Sequence, residues 1–236
     1  MKALKLAILA LALFAAPAFA TPVQVNNPGD HWSLSYNGIL DVNGVPTVMP
    51  GLSARVDYLV TGIYYDSATN ITQLAMDITI HNTSNGSLWE TGSVGGVAFD
   101  TNPNVIRVGS GASGALGYVA LNQTLPTGAG FKVEVCVSGR RNVCDAVNPF
   151  GVKANASAAA SVWLSFRGNI SGAPIDFTNF AIRWTDLSST ALGIPASRSA
   201  GIGLPVTPPI PEPASAAVFG IGALLVAAAI RRKRAD

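Results

Sequence analysis

Two cysteines, two histidines, three glutamates and a scatter of aspartates are nearly all this 236-residue chain offers for catalysis. Cys136 and Cys144 lie eight positions apart in KVEVCVSGRRNVCDA, with the turn pair Ser138-Gly139 between them. A redox centre would favour C-x-x-C, and a zinc site would need a second Cys/His cluster. Neither is present, so the pair reads as a disulfide across a hairpin loop, formed outside the cytoplasm. Gly109-Ser110-Gly111-Ala112-Ser113-Gly114 fits G-x-G-x-x-G, with Glu134 downstream. A dinucleotide site requires a helix to open there and meet the pyrophosphate. Instead Gly117 and a β-like Tyr118-Val119-Ala120-Leu121 follow, so a Gly/Ser loop is expected. Asp100-Thr101-Asn102-Pro103-Asn104 spaces its oxygens like the start of a calcium loop. Val105 stands where the turn glycine belongs and Gly111 where the bidentate glutamate belongs, which leaves an Asx/Pro turn.

His31 and His81 are in neither an HExxH nor a metal-spacing pattern, and no G-x-S-x-G accompanies them. A Ser-His-Asp triad would have to assemble from distant segments, and no spacing nominates one. Glu90 and Glu134 are the only glutamates before Glu212. Glycoside hydrolysis needs two carboxyls within about 10 Å, and nothing in the chain couples them. Trp32, Tyr36, Tyr64, Tyr65 and Trp89 could offer stacking faces to sugars, although aromatics on strands more often fill a core. No catalytic residue, metal ligand or cofactor is nominated, and no enzyme is expected.

The elements that would position these groups are strands. Leu74, Met76, Ile78 and Ile80 alternate with Ala75, Asp77, Thr79 and His81, the period-2 signature of a half-buried strand. The same alternation runs through FKVEVCV (131–137), SVWLSFRG (161–168) and FTNFAIRWTD (177–186), and LSARVDYLVTGIYYD (52–66) holds a further strand or two. Turn clusters at 43–44, 67–70, 82–87, 101–104, 126–130 and 168–174 separate the runs. The sequons at Asn70, Asn82, Asn85, Asn122, Asn155 and Asn169 read as strand ends and turns. No long amphipathic helix is evident. An all-β domain over 21–191 is expected, an antiparallel two-sheet sandwich of jelly-roll type. Asn179 to Trp184 would be its last core strand, and 192–210 a Pro/Gly-rich linker.

The ends differ from the middle. Lys2 and Lys5, a short apolar stretch and Ala18-Phe19-Ala20 form the n-region, h-region and cleavage site of a secretory signal over 1–20. The stretch is too short for a membrane span of about 20 residues. Signal peptidase and the Sec translocon are therefore expected partners. Ala214 to Ile230 is uncharged and would reach about 25 Å as a helix, near the lower limit for crossing a membrane. Arg231, Arg232, Lys233 and Arg234 follow, a cluster that would stay cytoplasmic. The chain is formally +2 with a pI near 8.6, yet six of its 15 Lys and Arg lie in these ends. Between 21 and 211 nine Lys or Arg face eleven Asp or Glu. The basic balance belongs to targeting, and no nucleic-acid partner is expected.

Pro211-Glu212-Pro213, the apolar segment with Gly220 and Gly222, and the terminal cationic cluster together resemble the PEP-CTERM sorting signal of Gram-negative bacteria. The resemblance covers about the last 30 residues. It implies recognition and cutting at Pro211-Glu212-Pro213 by an exosortase, passage through an inner-membrane-anchored intermediate, and final residence at the cell surface or in an exopolysaccharide matrix. The body is similar to the cistern family of PEP-CTERM proteins in three places. These are Phe99 to Val105 (FDTNPNV), Val133 to Cys144, and Phe180 to Trp184. The loop between the cysteines carries Arg140 and Arg141 where that family has glycines. The family brings no activity and no catalytic residues. The role expected for an exported domain with no nominated catalytic residue is structural or adhesive, with a carbohydrate-binding module or a secreted hydrolase as alternatives.

Overall fold

The computed structural model describes residues 22–42, 45–111, 116–125, 131–139, 144 and 151–206. The expected signal (1–20, with Ala18 and Ala20), the sorting motif Pro211-Glu212-Pro213, the span 214–230 and the cluster Arg231 to Arg234 lie outside the described residues. What is described is all-β. The strands are β1 (Val23–Val25), β2 (His31–Val42), β3 (Val45–Asp66), β4 (Ile71–Asn82), β5 (Thr91–Asn102), β6 (Arg107–Ser110), β7 (Tyr118–Leu125), β8 (Phe131–Ser138), β9 (Val152–Lys153), β10 (Ser157–Arg167), β11 (Ile175–Ser189) and β12 (Ile194–Pro205). No helix occurs among the described residues.

The strands form one antiparallel sheet rather than the two expected from the sequence. Its path runs β6-β10-β4-β3-β2-β12-β11-β5-β8-β7, with β1 on β11 and β9 on β5. The ends of the path meet where the Ser110 hydroxyl donates to the Gly117 carbonyl at 2.9 Å, so the twisted sheet curls nearly into a barrel. The strand that joins the two halves is β12. It pairs with β2 from Ile202↔Ile39 to Pro205↔Tyr36, and with β11 from Ile182↔Gly203 to Ser189↔Ile194. Most of the expected 192–210 linker is therefore sheet, and Asn179 to Trp184 is not the last strand. The seam admits β12 because its backbone is bare where it is most crowded. A Cβ at Gly203 would lie 2.7 Å from the Asn37 carbonyl oxygen and 2.5 Å from the Ile182 side chain; one at Gly201 would lie 2.5 Å from the Ile39 oxygen.

The expected alternation holds in the outer half. Leu74, Met76, Ile78 and Ile80 of β4 are buried, as are Val162, Leu164 and Phe166 of β10. The stretch 52–66 belongs to one long strand, β3, that pairs with β2 and then with β4. Rings meet in the interior both within a wall and across it, the Phe180–Tyr58 contact joining the β11 wall to the β3 wall. Trp32 stacks on Tyr58 at 4.8 Å, Phe180 meets Tyr58 at 5.6 Å, and Phe99 meets Phe177 at 5.3 Å. Phe177 and Phe180 share this cluster despite odd spacing. Asn179 between them has φ +48°, and the β5–β11 register slips between Thr178 and Ala181; the bulge turns Phe180 back inward. The Tyr36 and Tyr58 hydroxyls lie 3.1 Å apart and buried, and burial pushes both phenols up, so both stay neutral.

On β5, β8 and β11 the outward face is covered as well. Ala98, Cys136, Ala181 and Cys144 form a small second cluster. Arg183 is buried beside it and donates from Nη1 to the Cys144 carbonyl. The strict in/out pattern expected for FTNFAIRWTD therefore gives way to a strand buried on both faces.

Two substitutions test this reading. Gly203→Val should lower unfolding free energy by about 1–3 kcal/mol, the cost of overpacking. Tyr58→Ala should lower it by about 3–5 kcal/mol, as for a buried ring. Urea denaturation followed by tryptophan fluorescence measures both.

Candidate functional site

Three places gather polar groups, and each follows from strand register. The first crosses the water-facing side of β10, β4, β3 and β2. Ser157 pairs with His81, His81 with Arg55, and Asp57 with Ser33. His81 Nδ1 lies 2.7 Å from the Ser157 hydroxyl and Nε2 lies 3.0 Å from Asp57 Oδ2. With Asp57 ionised, Nε2–H donates to the carboxylate, and in the neutral ring Nδ1 would accept from the serine. This is the connectivity of a hydrolase triad with the ring nitrogens exchanged, and no sequence spacing announces it.

Its surroundings differ from those of a hydrolase. Asp57 also accepts from Arg55 Nε at 2.7 Å and from the Ser33 hydroxyl at 2.5 Å. Burial pushes its carboxyl up, but the bond from Ser33, the bond and charge of Arg55 and the bond from His81 outweigh that and hold it below the ordinary carboxylate range. Acyl transfer relies on donors aimed at a developing oxyanion where water is excluded. Here Ser157 and Arg55 are exposed on an open sheet face. The arrangement is a cross-strand polar ladder, the kind of pairing that fixes register.

The second place is a polar cleft of about 720 Å³ over β5, β7 and β8, lined by Asp100, Asn104, Asn122, Gln123, Lys132 and Glu134 among others. Its two acids are committed to backbone and side-chain donors of the protein. Glu134 Oε2 accepts from the Thr101 N–H at 2.8 Å and its hydroxyl at 2.7 Å, and Oε1 accepts from the Val105 N–H at 2.6 Å. Asp100 accepts from the Glu134 N–H at 2.6 Å and from Asn179 at 2.7 Å. The FDTNPNV stretch, with its cis Asn102–Pro103 bond, is thus a loop pinned by Glu134. Of the oxygens spaced like the start of a calcium loop, both of Asp100 are engaged with protein donors. Among the described residues no group of three or more His, Cys, Asp or Glu is placed to hold a metal. Glu90 sits beside the far end of β5, where it accepts from Ser188 and the Thr190 N–H. At about 3.3 Å per residue the roughly ten positions of β5 between them hold the two glutamates at opposite ends of the strand, on the order of 30 Å apart, too far to act as a pair.

The third place is the disulfide. Cys136 and Cys144 are bonded with their Cα atoms 6.4 Å apart, as their spacing predicts. The G-x-G-x-x-G stretch begins inside strand β6, with Gly109 opposite Trp163. Of the aromatics offered as sugar-stacking faces, Trp32, Tyr36 and Trp89 are core, whereas Tyr64 and Tyr65 are exposed. Trp163, which the alternation of β10 points outward, joins them. Asn82, one of the sequon asparagines, is buried and donates to the Gly92 and Val152 carbonyls; Asn70, Asn122 and Asn155 adopt positive φ.

No family model matches this chain, and neither a curated protein nor a solved structure is similar to it. The resemblances therefore rest on the motifs alone.

Replacing both cysteines by serine should lower stability by about 2–3 kcal/mol, from loop-closure entropy. Asp57→Asn should destabilise by no more than about 1 kcal/mol, since the ion pair is partly exposed. Because folding lowers the Asp57 pKa, its stabilisation is full above the ordinary carboxylate range and fades as pH falls through the folded value. The gap between wild type and Asp57→Asn should therefore close in acid. Urea melts across that pH range measure it.

Proposed function

We propose that this chain is an exported, non-enzymatic β-protein of a Gram-negative bacterium, with a structural or adhesive role at the cell surface or in an exopolysaccharide matrix. The observation that carries the reading is the order of parts at the C-terminus. Pro211-Glu212-Pro213, an uncharged 214–230 and Arg231 to Arg234 follow one another as in a PEP-CTERM signal. A secretory signal over 1–20 would deliver the domain, a helix over 214–230 would hold it in the inner membrane, and an exosortase would release it. The Cys136–Cys144 bond supports the reading, because disulfides persist in oxidising compartments. So does the slight acidity of residues 21–211, the opposite of the basic balance that a nucleic-acid partner calls for. A second reading, a carbohydrate-binding module of the same matrix, is favoured by the exposure of Tyr64 and Trp163.

The intact mass of native protein from the producing cells tests the first reading. The expected species begins at Thr21, lacks the tail beyond the Pro-Glu-Pro motif and is two hydrogens lighter for the disulfide. A mass that keeps residues 214–236 would make the tail a permanent anchor. An uncut chain from the cytosol with two free thiols would overturn export itself. A fluorophosphonate should leave Ser157 unlabelled; stoichiometric labelling there would make the protein a hydrolase.

A further inference from the structure

The outer face of β6, β10, β4 and β3 carries two large aromatic side chains that the fold leaves in water. Trp163 is 41% exposed and Tyr64 is 63% exposed. Trp163 pairs with Gly109 on β6 and with Ala75 on β4; Ala75 pairs with Gly62 on β3, two residues before Tyr64. Both rings rest on glycine. A Cβ at Gly109 would lie 2.2 Å from the indole, and one at Gly62 would lie 2.3 Å from the Tyr64 ring. Each ring is therefore held against bare backbone, with the side away from the sheet left to solvent. The indole lies over β6 and the phenol over β3, three strand spacings or about 14 Å apart. Ala75 is the low floor between them. Hydrogen-bonding groups flank this row, with Gln73 to one side and the Ser161–Asp77 pair, bonded at 2.6 Å, to the other. The face is electrically balanced, with Arg107 and Arg167 against Asp66 and Asp77.

These features select among occupants. A protein partner uses aromatics clustered in one desolvated patch, whereas these are separated, and the polar groups around them outnumber the exposed aliphatic neighbour, Leu59 beside Asp77. A single-stranded nucleic acid stacks on aromatics but needs a cationic groove for its backbone. A sugar ring presents a flat C–H face to an aromatic plate and hydroxyls to polar neighbours. A polymer of such rings can engage two plates at once, so that weak contacts add through linkage. We propose that this face is a docking platform for an extended neutral polysaccharide, with Trp163 and Tyr64 as its two stacking plates. The proposal rests on the carbohydrate-binding reading and gives it a place and a ligand class.

Trp32, Trp89 and Trp184 are buried, so Trp163 dominates quenching of tryptophan fluorescence by acrylamide. The native mature protein is tested against insoluble cellulose and chitin, and against soluble dextran, mixed-linkage β-glucan and galactomannan. Retention by at least one is expected. Soluble chains that bind should protect Trp163 from acrylamide, and Tyr64→Ala and Trp163→Ala should each weaken binding about 3- to 10-fold. Asn104→Ala, in the polar cleft, should leave it unchanged. Should Trp163→Ala unfold the sheet over Gly109, Tyr64→Ala and quenching of the wild type still decide the matter. Retention with Trp163 fully quenchable and Tyr64→Ala unchanged would overturn the platform and leave the carbohydrate-binding reading intact. No retention by any probe would overturn both. Concentration-dependent protection of Trp163 without polysaccharide, matched by dimer formation in sedimentation, would give the face to a second copy of the chain.

Discussion

The whole architecture depends on a strand squeezed into a seam. β12 lies between β2 and β11, and it fits because Gly201 and Gly203 put no side chain where the Ile39 and Asn37 carbonyls pass. Without it the β6-β10-β4-β3-β2 and β11-β5-β8-β7 segments would be two open sheets with raw edges, the exposed pairing surface that β-proteins must cover. With it the sheet is continuous from β6 to β7 and wraps one core. The aromatic cluster of Trp32, Tyr58, Phe99, Phe177 and Phe180 then spans the interior from the β2–β3 wall to the β5–β11 wall. The glycine gap and the ring cluster depend on each other, since the walls can approach only when the seam is filled.

Much of this was legible in the chain, and the failures share a cause. Period-2 alternation located β4 and β10 because each has one wet face and one dry one, and the cysteine spacing disclosed its bond. β12 was hidden because Pro195, Gly201, Gly203 and Pro205 are the residues that mark a linker. Here the glycines answer to crowding from neighbouring strands, and Pro205 stands at the strand's end, where a missing N–H costs least. The hydrophobic spacing of β11 looks regular enough for a half-buried strand. Its bulges at Asn179 and Asp186, and the cover that Arg183 and Cys144 put on its outer side, are tertiary facts.

The same limit hid the polar ladder and the aromatic row. Ser157, His81 and Asp57 come from three strands, as do Trp163, Ala75 and Gly62. Only register sets them side by side, and register depends on turns and bulges that a local pattern does not encode. Glu134 shows the converse. Its type suggested acid–base chemistry, yet its oxygens are occupied in holding the 101–105 loop.

The position of β12 also bears on force. It leads directly to residue 206, whose N–H still bonds the Ser35 carbonyl, and it has a ladder on each side. Tension entering the domain from its C-terminal side would first load the β2 ladder at 202–205 and then the β11 ladder at 194–203, so the strand is held in series by both neighbours. A domain loaded through such a clasp resists tugging far better than one peeled open from a hairpin edge.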